Sequence, residues 1–147
     1  ITPNRSEAEV LADMSIDCES DITTAANRIL QDLGPQVVII KGGHIGEDAT
    51  DYAFTKDGGV RTWTSPKYDT MHTHGTGCTF SAVITAELAK GRDVIDAIGI
   101  AKDYIALAIK HNPGLGNGCG PVNHMAYGLL SNGPETMDEL LKNDERR

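Results

Sequence analysis

The sequence predicts an α/β fold, on three observations. Segments with apolar residues at helical spacing alternate with a short continuous apolar run, Val37-Val38-Ile39-Ile40. Such a run is typical of a strand buried on both faces of a parallel sheet. A glycine turn at residues 75–78 then leads directly into another helical pattern. With 147 residues, the chain has the size of one domain or of part of one.

The first two helices follow from their end signals. Asn4 is a favourable N-cap and Glu7 stands three residues later, as in a capping box, so we predict a helix that runs to about Met14. A second helix is predicted from Asp21 to Leu33, because its apolar residues share one face and Gly34-Pro35 ends the pattern.

A hairpin and two further helices are predicted next. Residues 51–55 and 60–64 alternate about a Lys-Asp-Gly-Gly turn, which indicates a β-hairpin. The glycine turn leads into a helix at Thr79–Lys90, which Gly91 ends. Asp93 caps a further helix, which is predicted at residues 94–110.

The C-terminal part is predicted to be mostly irregular. Residues 112–120 contain five glycines or prolines, which is typical of a loop. From about residue 125 to 147 we expect a polar tail, with a short helix at residues 134–141.

Composition excludes several function classes. Thirteen basic against 21 acidic residues give a net charge of −8 without a basic cluster, which argues against a nucleic-acid or anionic-membrane partner. No run approaches the ~18 apolar residues of a membrane span. Cys18, Cys78 and Cys119 are an odd set without CxxC spacing, which favours reduced thiols and a cytoplasmic location.

The most informative motif is the turn Gly75-Thr76-Gly77-Cys78. It is predicted at a helix N-terminus, where unpaired N–H groups and the helix dipole favour an anion. The two glycines allow close approach of a bulky charged group, and the same position favours the thiolate form of a cysteine. A phosphate cradle beside a reactive side chain indicates a phosphotransferase. The alternative is a purely structural turn, since glycine turns before helices are common; neither a Walker loop nor a dinucleotide fingerprint is present.

Four motifs in order resemble those of the hydroxymethylpyrimidine/phosphomethylpyrimidine kinases of thiamine biosynthesis, a branch of the ribokinase-like superfamily. The glycine turn belongs to the segment His-Thr-His-Gly-Thr-Gly-Cys-Thr-Phe-Ser-Ala at residues 72–82. The others are Thr-Pro-Asn-Arg-Ser-Glu at 2–7, a strand ending in Lys-Gly-Gly-His at 37–44, and Gly-Pro-Val-Asn-His at 120–124. His72 stands where the family usually has Asn.

The resemblance implies a ribokinase-like, doubly wound, mostly parallel sheet with flanking helices in a three-layer αβα fold. It covers only about the C-terminal half of the family's chain, so residues 1–147 are expected to be the C-terminal portion of a single kinase domain. The missing half would supply most of the acceptor pocket, and the chain alone is expected to be inactive.

The resemblance also implies the reaction. The intact enzyme would transfer the γ-phosphoryl group of ATP, with Mg²⁺, to the hydroxymethyl group of 4-amino-5-hydroxymethyl-2-methylpyrimidine and then to its monophosphate. A homodimer is expected. Two alternatives stay open: a pyridoxal or pyridoxine kinase of the same superfamily, and an inactive nucleotide-binding or dimerisation fragment.

Site residues are carried over position by position. Cys78 takes the place of the superfamily's Asp, which acts as base toward the acceptor hydroxyl. Backbone N–H groups of Gly75, Thr76, Gly77 and Cys78 would form the anion hole for the transferred phosphoryl group.

Three further residues are candidates near the phosphates. The resemblance implies that Asn4 and Glu7 help to hold Mg²⁺, in part through water, although Glu7 is also explained by a capping box. Lys41 stands at the carboxyl end of a buried strand, where ligands bind in open α/β sheets. We assign it to phosphate neutralisation or acceptor contact.

The histidines do not indicate a metal centre. His44, His72 and His74 with Cys78 lack the spacing of a recognised zinc set. We expect His74 to brace the turn by hydrogen bonding and His124 to be structural.

Overall fold

The computed structural model describes residues 1–42 and 48–130, in two compact units, Ile1–Lys67 and Tyr68–Arg147. Its elements in chain order are α1 (Arg5–Ala12), α2 (Glu19–Leu33), β1 (Val37–Ile40), β2 (Ala49–Thr55), β3 (Val60–Ser65), α3 (Thr76–Ala89), α4 (Val94–Lys110) and α5 (Ala126–Leu130). Three sequence assignments lie outside the described residues. They are the Gly43-His44 end of the motif at residues 37–44, His44 as a metal-ligand candidate, and the helix at residues 134–141.

Helix α1 begins as its capping pattern predicts. The Asn4 side chain accepts the Glu7 N–H at 2.9 Å, and Glu7 Oε2 accepts the Asn4 N–H at 2.7 Å, which completes the capping box. The helix ends at Ala12, two residues short of the predicted end, and its C-cap Asp13 has a left-handed φ of 49°. Helix α2 begins two residues earlier than predicted and ends, as predicted, before Gly34.

The described sheet has three strands in the order β1-β2-β3, and both pairs are antiparallel. The prediction of a mostly parallel sheet is therefore wrong for these strands. Only eight residues join β1 to β2, which is too few for the crossover that a parallel pair requires. Parallel pairing occurs beside β1, where the N–H groups of Ile39 and Lys41 donate to the carbonyls of Ile1 and Pro3. A second parallel bridge joins His74 to Pro121 in the second unit.

The predicted hairpin is confirmed as β2 and β3, each slightly longer than expected. Thr55 N–H donates to Gly59 O at 2.9 Å across the turn. The apolar run of β1 is confirmed as a buried strand, because Val38, Ile39 and Ile40 are all at most 3% exposed.

One face of the sheet carries the core of the first unit. Val38 and Ile40 of β1 lie on the same face as Phe54 of β2, because the register pairs Val38 with Phe54. Helix α2 packs on this face and α1 packs on α2. The rest of the cluster comes from α1, α2 and, through Ile16, the connection between them: Ala8, Ala12, Ile16, Ile22, Ala25, Ala26, Ile29 and Leu30. Small alanines let the helices approach closely, and burial of the branched residues supplies the hydrophobic stabilisation.

The second unit is helical in its described part. Helix α3 packs on α4, and α4 packs on α5. Helix α4 has the predicted bounds, and Asp93 Oδ1 caps it by accepting the Ile95 N–H at 2.8 Å. Helix α3 begins at Thr76, three residues before the predicted start, and α5 lies within the stretch expected to be a polar tail. None of the described helices combines the length and hydrophobicity needed to cross a bilayer.

Helix α3 ends beside a buried carboxylate. Glu87 is 7% exposed and accepts hydrogen bonds from Lys90 Nζ at 2.5 Å and Arg92 Nε at 2.6 Å. The Lys90 and Arg92 hydrogen bonds, in that order, lower the pKa of Glu87 from its ordinary 4.5, against the opposing effect of burial. Both cations follow the last turn of α3, where positive charge also interacts favourably with the helix dipole.

The hydrogen bonds of Glu87 with Lys90 and Arg92 predict that the folded chain loses stability in acid. In the unfolded chain Glu87 binds a proton near pH 4.5, whereas in the folded chain it does so only at lower pH. Its stabilising contribution is therefore complete above about pH 4.5 and is lost as the pH falls through the folded-state pKa. We expect Glu87→Gln to lower the urea midpoint at pH 7, and the gap from the wild type to narrow below about pH 4.5. Asp103→Asn, at an exposed carboxylate, is the control and should leave the urea midpoint unchanged. If the difference in urea midpoint between Glu87→Gln and the wild type does not depend on pH, the assignment of the stabilisation to ionised Glu87 is wrong.

Candidate functional site

The first turn of α3 has an unusual N-cap. Gly75 occupies the cap position with φ 88°, in the left-handed region, and no side chain caps the helix. An ordinary N-cap is extended and offers a side-chain oxygen to the first-turn N–H groups. Here that oxygen is missing, so the amides of Gly77 and Cys78 have no side-chain acceptor at the cap. An anion can take that place.

Two contacts hold the backbone of this turn. Thr76 Oγ1 donates to Thr73 O at 2.7 Å, and Thr79 N–H donates to Gly75 O at 2.9 Å as the first bond across the helical turn. Gly77 lies inside the first turn of the helix. Only Gly75 of the two glycines therefore needs a left-handed backbone, which differs from the expectation that both let the chain curl.

Cys78 lies in the same first turn. Its side chain is exposed and its thiol is free, as are those of Cys18 and Cys119. The first turn of α3 carries no acidic residue, so no carboxylate of this turn competes with an incoming anion. The thiol and the uncapped amides therefore stand together at the surface.

A second segment is attached to the chain just before this turn. His74 N–H donates to Gly120 O at 3.0 Å, and Val122 N–H donates to His74 O at 3.2 Å. His72 Nδ1 accepts the Gly120 N–H at 3.1 Å. The expected bracing is therefore made by the backbone of His74 and by the side chain of His72.

The other candidates lie in the first unit. Asn4 and Lys41 form a parallel β-bridge, and Lys41 N–H donates to Pro3 O at 2.9 Å. Glu7 is exposed, with Oε2 engaged in the capping box. The structure thus brings Asn4, Glu7 and Lys41 together at the start of α1.

Lys41 lines a small cleft that is open to solvent. Its other lining residues are Arg5, Ile16, Ile22, Ile40, Gly42, Thr50 and Tyr52. Arg5 is paired with Glu9 and Asp17, each at 3.4 Å. Burial, followed by the nearby Glu19, raises the pKa of Tyr52 from its ordinary value of 10.0. The cleft thus combines apolar isoleucine side chains with polar and charged residues.

The candidates form two sets, one in each unit. The first set is Asn4, Glu7 and Lys41, and the second is the turn of residues 75–78. No three His, Cys, Asp or Glu side chains within residues 1–42 and 48–130 lie close enough to hold a metal ion by themselves. Sequence reasoning missed the His72–Gly120 contact, because no local signal connects residues 48 positions apart.

Comparison with known proteins places the chain among kinases. Residues 1–123 match the model of the phosphomethylpyrimidine kinase family. The chain is 50% identical over 144 residues to the hydroxymethylpyrimidine/phosphomethylpyrimidine kinase of Staphylococcus aureus (strain MRSA252), covering 97% of this chain and 51% of that protein. The Haemophilus influenzae kinase of the same name is 48% identical over 134 residues, covering 88% and 49%. The chain spans about half the length of these curated relatives.

Solved structures agree on the fold. The ADP complex of Bacillus subtilis pyridoxal kinase matches with a TM-score of 0.81 and 42% identity, over 88% of this chain and 49% of that one. Staphylococcus aureus pyridoxal kinase in complex with AMP-PCP and pyridoxal matches with a TM-score of 0.81 and 35% identity, over 88% and 48%. The described residues are therefore a portion of a ribokinase-like fold. Since the family model covers most of the chain and a relative at half identity spans nearly all of it, this chain belongs to the phosphomethylpyrimidine kinase family.

Proposed function

We propose that this chain is the phosphate-holding part of a hydroxymethylpyrimidine/phosphomethylpyrimidine kinase. The observation that carries the proposal is the uncapped first turn of α3, in which Gly75 is left-handed and Cys78 is exposed. Kinship with kinases of that name at about 50% identity supports the reaction. Because the chain spans half of those relatives, the activity is proposed for the enzyme that contains it.

In the proposed reaction the hydroxymethyl oxygen of 4-amino-5-hydroxymethyl-2-methylpyrimidine attacks the γ-phosphorus of ATP. The new oxygen–phosphorus bond forms while the bond to the bridging oxygen breaks, and ADP leaves with that electron pair. The hydroxyl proton passes to the Cys78 thiolate. A second transfer places another phosphoryl group on the monophosphate.

The backbone of the turn stabilises charge on the moving phosphoryl group. The N–H groups of Gly75, Thr76, Gly77 and Cys78 are the proposed donors, and fixed backbone donors need no reorganisation during the reaction. Lys41 neutralises phosphate or contacts the acceptor from the end of β1. An ammonium suits either role because it carries three donors on a flexible stem.

Asn4 and Glu7 are proposed to hold Mg²⁺ through water. The capping box occupies Glu7 Oε2 and the Asn4 side-chain oxygen, and this fits an outer contact better than direct ligation. Mg²⁺ keeps several waters and takes few protein carboxylates, so the residues fit the ion. When bound, the ion neutralises charge on the phosphate oxygens.

The wider setting belongs to the same proposal. Residues 1–147 would form the C-terminal portion of one doubly wound, three-layer kinase domain, with the C-terminal tail outside its core. The enzyme would be a cytoplasmic homodimer, and the three free, exposed cysteines support a reducing compartment.

The acceptor is the sharpest question for the proposed function. A pyridoxal kinase is the second candidate, because the solved structures at a TM-score of 0.81 are pyridoxal kinases. The chain is more similar in sequence to the Staphylococcus aureus pyrimidine kinase, at 50% identity over 97% of its length. An inactive nucleotide-binding fragment is the third candidate, since half of the relatives' length lies outside the chain.

We expect pyrimidine to be the preferred acceptor. The test uses a completed enzyme: the N-terminal half of the Staphylococcus aureus relative followed by residues 1–147 of this chain. The ratio of kcat/KM for hydroxymethylpyrimidine to kcat/KM for pyridoxal, measured by ADP release, should be no lower than in the intact Staphylococcus aureus relative. Any shift toward pyridoxal is then attributable to residues 1–147. The 147-residue chain alone should show no turnover, because most of the acceptor pocket is expected in the other half. Preference for pyridoxal would select the second candidate, and a well-folded completed enzyme without turnover would select the third.

Cys78 is expected to be essential for turnover. In the completed enzyme, Cys78→Ala should lower kcat by about 10²–10⁴-fold with little change in ATP affinity, because it removes the proposed base and leaves the amides in place. Cys78→Asp, which restores a base at the same position, should recover part of the rate. Cys18→Ala, which removes another exposed thiol, is the matched control. Full activity of Cys78→Ala would exclude the thiol from the mechanism.

The two glycines of the turn should fail in different ways. Gly75→Ala places an alanine in a left-handed backbone conformation, which should lower the free energy of unfolding by about 1–2 kcal/mol. The variant should also bind ATP more weakly. Gly77→Ala lies in helical backbone, so it should keep the melting temperature and weaken ATP binding through the added methyl group.

Gly91→Ala is the matched control for this pair. Gly91 has φ 85° just beyond the other end of α3, with open space about it. It should lose stability like Gly75→Ala and keep ATP affinity. Calorimetry in the completed enzyme measures the affinities. Unchanged affinity in both Gly75 and Gly77 variants would show that the phosphates bind elsewhere.

A further inference from the structure

The strongest contact that the proposed function does not use joins His72 to Gly120. Gly120 is buried, and a buried backbone N–H requires an acceptor. His72 Nδ1 supplies it at 3.1 Å. The approach is close enough that a Cβ on Gly120 would lie 2.3 Å from His72 Nδ1 and 2.7 Å from Leu115 O. Glycine and imidazole are therefore fitted to one another.

Further contacts place His72 in the same network. The backbone N–H of His72 donates to Thr70 Oγ1 at 3.1 Å, and the Asn112 side chain donates to the same oxygen at 3.4 Å. The loop at residues 112–120 is thus attached near both of its ends to the chain before α3.

The consequence of the contact reaches the first turn of α3 through two backbone bonds. Gly120 O accepts the His74 N–H, and the next bond in the bridge joins Val122 N–H to His74 O. His74 directly precedes Gly75, the left-handed cap of α3. The side chain that holds Gly120 therefore also limits the rotation of the peptide that enters the cap.

We propose that His72 is a positioning residue: by accepting the Gly120 N–H it fixes the bridge at residues 120–122 and thereby the orientation of the phosphate-holding turn at residues 75–78. The role rests on the proposed function of that turn. It assigns His72 a neutral imidazole with its proton on Nε2, because Nδ1 acts as the acceptor.

The chemistry of the contact defines informative variants. Asn places its Oδ1 where imidazole has Nδ1, so His72→Asn can accept the same N–H. Leu has a methyl group at that position and cannot accept. Gln carries its oxygen one bond farther out, so His72→Gln should behave like His72→Leu. His124→Asn makes the same chemical change at an exposed histidine of the same unit and is the matched control.

The first test needs no substrate and uses the full 147-residue chain. In a sample labelled with ¹⁵N-histidine, His72 should show an unprotonated Nδ1 and a protonated Nε2. In His72→Leu, exchange of the hydrogen-bonded amides of Gly120, His74 and Thr79 should accelerate by about tenfold. His72→Asn should restore the wild-type rates. A proton on Nδ1, or equal exchange in the Asn and Leu variants, would overturn the proposal.

The second test separates positioning from general stability. In the completed enzyme, the Kd of a non-hydrolysable ATP analogue should rise by about tenfold in His72→Leu. It should return to within about threefold of wild type in His72→Asn. Faster exchange with unchanged Kd would overturn the positioning role alone. If the wild-type enzyme binds no nucleotide, the proposed function fails, while exchange at His74 and Thr79 still decides whether His72 orders the turn.

Discussion

The uncapped first turn of α3 is the feature on which the rest of the second unit depends. A helix start normally satisfies its amides with a side chain of the chain itself, and here the left-handed Gly75 provides none. Unsatisfied donors destabilise a free helix end, so the structure must hold that end by other means. The Thr76 hydroxyl and N–H both donate to Thr73 O, and α3 packs on α4, so the end is held without occupying the amides of Gly77 and Cys78. The arrangement is stable and still open to a ligand.

Long-range hydrogen bonds then couple this helix end to the end of the glycine loop. The residue before the cap exchanges two backbone bonds with residues 120 and 122, and Asn123 N–H donates to Ala108 O of α4 at 2.9 Å. Val122 is 3% exposed and belongs to the buried residues of this unit. The same short segment therefore contacts the N-terminal side of α3 and the last turns of α4. A conformational change in the loop at residues 112–120 would therefore be transmitted through these hydrogen bonds to the turn at residues 75–78.

Local signals in the sequence predicted most of the helices and strands, whereas contacts between residues far apart in the sequence could not be predicted. The capping box at Asn4 and the bounds of α4 were predictable because both depend on residues within one helical turn. The start of α3 was placed too late because Gly77 resembles a turn residue, although it adopts helical backbone. The sheet was expected to be parallel because continuous apolar runs such as β1 are typical of parallel sheets. Such a run does not show the direction of the neighbouring strand, and here that strand is antiparallel. The His72–Gly120 contact depends on the folded loop, so no sequence pattern indicates it.

The charge distribution around α3 sets how a phosphate would arrive. The chain carries a net charge of −8, so at long range it repels a nucleotide triphosphate. The first turn of α3 offers only backbone dipoles, whose field falls off within a few ångströms, and at the far end of the helix Lys90 and Arg92 are engaged by Glu87. Recognition at this turn therefore operates at contact and contributes little steering. Added salt should therefore not slow association at this turn, because screening chiefly removes the long-range repulsion of the acidic chain.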